Sequence, residues 1–203
     1  MKLKHRNLEQ SRKSPEVASQ LSKEVGIGGK SMVRYWDWAV GHYHQEKDFR
    51  VGLDYLQKGI LSFNNTKQNR EKGEKLMKKL EKYVSNYSKL GFNYIGSNSR
   101  LNIDIQHNNA VTGEVFRIDG TMEGGYAITL LNRTDEIWAH ELRFRLLQIH
   151  YSNIYKCPYD LVKVGVFNFE SGEHEYVSFD EEELKSAWAE ITGISSKINQ
   201  FKL

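Results

Sequence analysis

A single carboxylate, Asp119, closes the stretch "EVFRID", and a carboxylate at such a strand end can ligate a hard divalent cation. Holding Mg²⁺ or Mn²⁺ with waters still bound takes a second carboxylate. A nearby lysine would then orient or deprotonate an attacking water and offset charge on a reacting phosphate. Downstream the chain reads "GTMEGGYAITLLNR", with no lysine between Lys89 and Lys156, and neither Leu130 nor Leu131 can ligate a hard cation. Arg133 brings positive charge, but a guanidinium with a pKa above about 12 cannot serve as a base. Glu136 and Glu141 could swing toward Asp119, although Glu141 also stands four residues before Arg145, the spacing of a surface ion pair. The plainer reading of Asp119 is a strand-end turn residue.

Other chemistry-bearing patterns are thinner. Gly29-Lys30-Ser31 has the ending of a phosphate-binding loop, but five positions before Gly29 stands Glu24 where that loop needs glycine, and the flank reads as helix. His42 and His44 would share a face only on a strand, no cysteine or carboxylate cluster accompanies them, and they read as isolated surface histidines. Tyr35, Trp36 and Trp38 read as core more readily than as a base-stacking platform. Cys157, the one cysteine, cannot form an internal disulfide.

The elements that must position these residues follow from spacing. Ser14-Pro15-Glu16 opens a short helix ending at Gly26. Thr66 to Leu90 is a long amphipathic helix: Leu76, Leu80, Tyr83, Val84, Tyr87 and Leu90 recur every three or four residues, lysines occupy much of the remaining circumference, and Gly91 stops it. After Arg100 the period changes to that of strands in "LNIDI", "EVFRI", "YAITLL" and a hairpin over "DLVKVGVFNFESGEHEYVSF" turned at Ser171-Gly172. Between them a helix capped by Thr134 carries apolar residues all round, as a sandwiched helix does, and a last helix starts near Asp180. That order predicts an α/β fold, a mixed central sheet flanked by helices. Residues 1–65 form a helical N-terminal segment packed on the core and residues 66–203 the α/β core.

Charge divides along the same line. Residues 1–100 hold 20 Lys+Arg and 10 Asp+Glu, a balance of +10, whereas residues 101–203 hold 9 and 16, a balance of −7. The asymmetry points to a polyanion or acidic partner on the N-terminal half, with Lys72, Lys75, Lys78, Lys79 and Lys82 as nucleic-acid-binding residues, against the plain alternative of a solvated helix face. No apolar run approaches the roughly 20 residues that span a bilayer. The basic start "MKLKHRNLEQSRK" lacks the apolar segment of a secretory signal. The expected location is the cytoplasm, with no membrane partner.

In order, the helical N-terminal part, "TGEVFRID", "EGG", "YAITLLN", "RLLQIHYSNIY" and "VKVGVFNF" resemble the RecB-type branch of the PD-(D/E)XK nuclease superfamily over about residues 66 to 180. The resemblance implies that Asp119 binds a divalent metal, that the next strand supplies acid-x-Lys, and that a helix glutamine, here Gln148, joins the site. The family's tyrosine usually lies four residues after that glutamine, where this chain has Ser152 with Tyr151 beside it, and the cysteines of the iron–sulfur members are absent. The registers Thr129/Leu131, Leu130/Asn132, Leu131/Arg133, Asn132/Thr134 and Arg133/Asp135 all fail to supply acid-x-Lys.

The expectation is therefore a nuclease-like domain with a degenerate active site. It would serve as a DNA-binding or protein-binding accessory subunit of a DNA-processing, repair or defence assembly. No catalytic residue, metal or cofactor is expected, and Asp119, Arg133, Glu141 and Gln148 would be vestigial. One alternative keeps an active nuclease with ligands relocated around Asp119 and Mg or Mn as its metal. A second is a structural interaction module that touches no nucleic acid.

Overall fold

In a computed structural model of the chain, which describes residues 2–14, 31–106, 109–134 and 136–200, a mixed six-stranded sheet lies between two helical layers. The strands are β1 (Lys2–Lys4), β2 (Asn93–Ile105), β3 (Asn109–Gly120), β4 (Tyr126–Asn132), β5 (Val162–Asn168) and β6 (His174–Val177). The helices are α1 (Leu8–Lys13), α2 (Met32–Glu46), α3 (Phe49–Leu61), α4 (Lys67–Tyr87), α5 (Leu142–Tyr155) and α6 (Glu181–Gln200). The proposed helix from Ser14 to Gly26 and most of the Gly29-Lys30-Ser31 pattern lie outside the described residues.

β3 is the spine of the sheet. β2 pairs with it antiparallel from Asn93 opposite Gly120 to Ile105 opposite Asn109. Its other edge is shared: β1 runs parallel beside Ala110–Thr112, and β4 runs antiparallel beside Arg117–Gly120. α5 then crosses over to bring β5 parallel to β4, and β6 returns antiparallel on β5.

Alternation along the strands separates two cores. Val162, Val164 and Val166 of β5 face α5 and α6 together with Ile118, Ile128 and Leu130. Phe167 faces the other way, into a cluster with Phe116, Trp36 and Leu56 of α2 and α3, and Leu76, Leu80 and Tyr83 of α4. Trp36 is fully buried and lies nearly parallel to Phe116 and Phe167, so the α2–α3 hairpin and the sheet share one core. No helix among the described residues is long and apolar enough to cross a membrane.

Local chemistry explains most boundaries. Thr66 Oγ1 accepts from Asn69 N at the start of α4, and Gly91 takes φ +65° just beyond its end. Asp180 caps α6 reciprocally: its Oδ1 accepts from Glu183 N, and its own N–H donates to Glu183 Oε2. The β5–β6 connection turns at Gly172, φ +75°.

The helix expected from Thr134 starts instead at Leu142. Trp138 is drawn into the core at 5% exposure, Asn132 Nδ2 donates to the Glu136 carbonyl, and Glu141 N closes a turn on Trp138 O. These contacts hold residues 136–141 out of helical geometry despite a sequence with good capping residues.

Candidate functional site

The two-residue pleat repeat places Arg117 and Asp119 side by side on the β3 face that meets α4. Both side chains are wholly buried, with Arg117 Nε 2.6 Å from Asp119 Oδ2. The rest of the guanidinium is committed too: Nη1 donates to the Tyr83 hydroxyl and Nη2 to that of Tyr176 at 2.9 Å, over the Tyr87 ring at 4.4 Å. Tyr87 donates to the second Asp119 oxygen at 2.9 Å, and Thr129 Oγ1 lies 2.8 Å from the Tyr176 hydroxyl.

His44 completes the set from α2. Burial and the nearby Arg117 charge push it down to about 2, so the ring is neutral, and its Nε2 is hydrogen-bonded to the Tyr83 hydroxyl at 2.7 Å. The Tyr83 hydroxyl thus accepts from Arg117 and is also hydrogen-bonded to His44. Burial pushes the Asp119 carboxyl up, while Arg117 and Tyr87 pull it back toward the carboxylate. Arg117 stays protonated although burial opposes its charge, because the oxygens of Tyr83, Tyr176 and Asp119 surround it.

His174 is the ill-fitting neighbour. It stacks beside Tyr176 and lies 4.9 Å from Phe167, burial pushes it down to about 3, and neither ring nitrogen has a hydrogen-bond partner. His174→Phe keeps the ring while removing the unsatisfied polar atoms. It should raise stability by about 1–2 kcal/mol in chemical denaturation. A loss of stability would mean that the imidazole makes a contact essential to the network.

This arrangement does not fit a divalent metal. Both Asp119 oxygens are engaged by protein donors, and the β4 residues opposite Asp119 and Arg117 are Ala127 and Thr129. A cation would have to displace a buried guanidinium with no second carboxylate to receive it. No group of three or more His, Cys, Asp or Glu side chains among the described residues is placed to hold a metal ion.

The other residues singled out in the sequence are dispersed. Gln148 of α5 is buried on the opposite side of the sheet. There it donates to the carbonyls of Tyr159 and Phe179 and accepts from Phe179 N, locking α5 to the start of α6. Glu141 precedes α5 and pairs with Arg143 at 2.6 Å. It lines a cleft that also contains the exposed Arg133.

The five lysines of α4 divide. Lys79 Nζ donates to the Phe169 carbonyl at 2.6 Å, pairs with Glu170 and lies over the Phe169 ring, and Lys82 donates to the Ser171 carbonyl, so both hold the β5–β6 turn. Lys72, Lys75 and Lys78 are exposed. Arg117 was the residue missed from the sequence, although its place two residues before Asp119 on a strand was a sufficient signal. His44, read as a surface histidine, is buried at 4% exposure.

No family model matches the chain, and no curated protein matches it. Among solved structures, the crystal structure of SSO0001 is similar at a TM-score of 0.35 and 9% identity, over 95% of this chain and 84% of that one, a likeness that carries no argument.

Proposed function

We propose that the chain is a non-catalytic, nuclease-like domain that binds DNA as an accessory component of a DNA-processing or defence assembly. The observation that carries this reading is the closed Arg117–Asp119 pair: the strand-end carboxylate is spent on a guanidinium and a tyrosine, with Ala127 and Thr129 opposite. Helix, three antiparallel strands, crossover helix and parallel strand support the resemblance to the RecB-type nucleases, but Gln148 serves packing. Binding is assigned to Lys72, Lys75 and Lys78, whose exposed ammonium groups can reach phosphates without reading base edges.

Fluorescence anisotropy with duplex DNA tests the reading. Three phosphate contacts would make log K fall with log salt at a slope of about −2.7. The combined change Lys72→Glu, Lys75→Glu and Lys78→Glu should flatten that slope and weaken low-salt binding about 100-fold for every sequence. Lys82 is left intact because it supports the β5–β6 turn. In parallel, the protein should not cut DNA with Mg²⁺ or Mn²⁺. Metal-dependent cleavage that disappears in Asp119→Ala would overturn the non-catalytic assignment in favour of relocated ligands.

A further inference from the structure

Away from the buried pair, a cleft of about 2130 Å³ opens between α1, the start of α2, the β2–β3 ribbon and the segment leading into α5. Its cations come from separate elements. Arg6 follows β1, Arg34 lies on α2, Arg100 on β2, and Arg133 just after β4. All four are exposed, and among the described residues none has a carboxylate within ion-pair distance. By contrast, Arg12 and Arg143 on the same wall are neutralised by Glu190, Glu9 and Glu141.

Of the wall's remaining acids Glu136 is exposed, whereas Asp37 and Glu114 are partly silenced. In the orientation that satisfies both carboxylates, the Asn98 amide nitrogen lies 3.0 Å from Asp37 Oδ1 and from Glu114 Oε1. Burial and the Glu114 charge push Asp37 up to about 7, against the pull of Arg133 and Arg34, so near neutrality about half of it is protonated. His5, between Arg6 and Arg143, is pushed down to about 4 by burial and then by those charges, consistent with a positive potential across this wall.

We propose that this cleft seats a nucleic-acid strand, gripped through its phosphates by Arg6, Arg34, Arg100 and Arg133. The space exceeds the 300–1,000 Å³ typical of small-molecule pockets and suits a polymer. Four guanidiniums without an ion-pair partner, of which Arg34 lies over the Trp38 ring at 5.2 Å, each carry a planar fork of donors that matches a phosphodiester. A concave wall concentrates their field more than the convex lysine face of α4 does. The proposal rests on the nucleic-acid-binding reading but concerns a second surface, which the sequence did not suggest.

The test uses the full chain and a fluorescent single-stranded oligonucleotide of about 15 nucleotides, near the upper site size of single-strand-binding domains. Arg100→Glu with Arg133→Glu should weaken binding at least about 30-fold at low salt while melting stays unchanged, both side chains being exposed. Arg100→Lys with Arg133→Lys keeps the charge and should recover most of the affinity.

Asp37→Asn should bind several-fold tighter than wild type at about pH 8, where Asp37 is ionised, and equally at about pH 6. Glu114, Arg34, Arg133 and Asn98, the groups facing Asp37, are unchanged in that variant, as is His140 on the wall. If the Arg-to-Glu variant binds like wild type while the α4 lysine variant does not, the cleft assignment is wrong and the proposed function stands. If wild type binds no nucleic acid at low salt, both fall.

Discussion

Asp119→Ala should lower unfolding free energy by about 3–5 kcal/mol, because it strands the fully buried Arg117 guanidinium without its counter-charge. For a chain of this length that corresponds to a fall in Tm of roughly 10 °C. The loss exceeds that of an ordinary surface carboxylate because Tyr83 and Tyr176 can accept hydrogen bonds from Arg117 but cannot neutralise it. Converting the pair to apolar residues of similar volume, Arg117→Met with Asp119→Leu, should recover most of the stability. Adding Mg²⁺ or Mn²⁺ should leave the wild-type Tm where it is. Were Asp119 a metal ligand in waiting, Asp119→Ala would instead melt no lower than wild type and abolish a metal-dependent rise in Tm.

Acidification should be the other large perturbation. Three histidines are held neutral by the fold, with values of about 2 for His44, about 3 for His174 and about 4 for His5, against an ordinary value of 6.5. Their stabilisation is fully present above 6.5 and is lost as the pH falls toward those values, because the unfolded chain takes up protons that the folded chain refuses. From pH 7.5 to 5 each contributes a loss of about 2 kcal/mol.

Asp37 works in the opposite direction. Raised from 3.8 to about 7, it binds its proton earlier in the folded state and returns about 2.5 kcal/mol over the same interval. The upward shifts of Asp119 and Glu141, both from burial first, act in the same sense. The net expectation is a loss of about 3–4 kcal/mol between pH 7.5 and 5. Urea titrations across that range should show a shallower loss in His174→Phe and a steeper one in Asp37→Asn. A wild-type stability that stays level over the range, unaltered in both variants, would mean these groups titrate as they do in water.

Much of the architecture was legible because it is written in local periodicity. Leu76, Leu80, Tyr83 and Tyr87 are buried along α4, as a 3.6-residue repeat demands. The β3–β4 pairing follows from two β-rich runs around a short turn, and the capping pair Asp180 and Glu183 marks the start of α6. Local signals misplaced the start of α5, where Thr134 and the acids after it could cap a helix but the burial of Trp138 competes for the same backbone. Helical spacing showed that Lys79 and Lys82 point outward from α4. It could not show that the β5–β6 turn, 90 residues beyond Lys79, comes back across them.

By itself the sequence determined that the strand after Asp119 carries no acid-x-Lys pair, since the presence or absence of a residue type is independent of folding. It determined the mixed α/β order for a similar reason: runs of two periods follow each other along the chain, and each can bury its apolar side only against the other. What becomes of Asp119 was decided by tertiary structure. Its partners come from β3, α4 and, through Arg117 and Tyr83, from α2 and β6, segments brought within hydrogen-bond distance only when the sheet and its helices close. The four cleft arginines likewise come from four separate segments. Hydrogen bonding and ion pairing act over a few ångströms of space whatever the separation along the chain, so which charges are neutralised and which stay free is settled by packing.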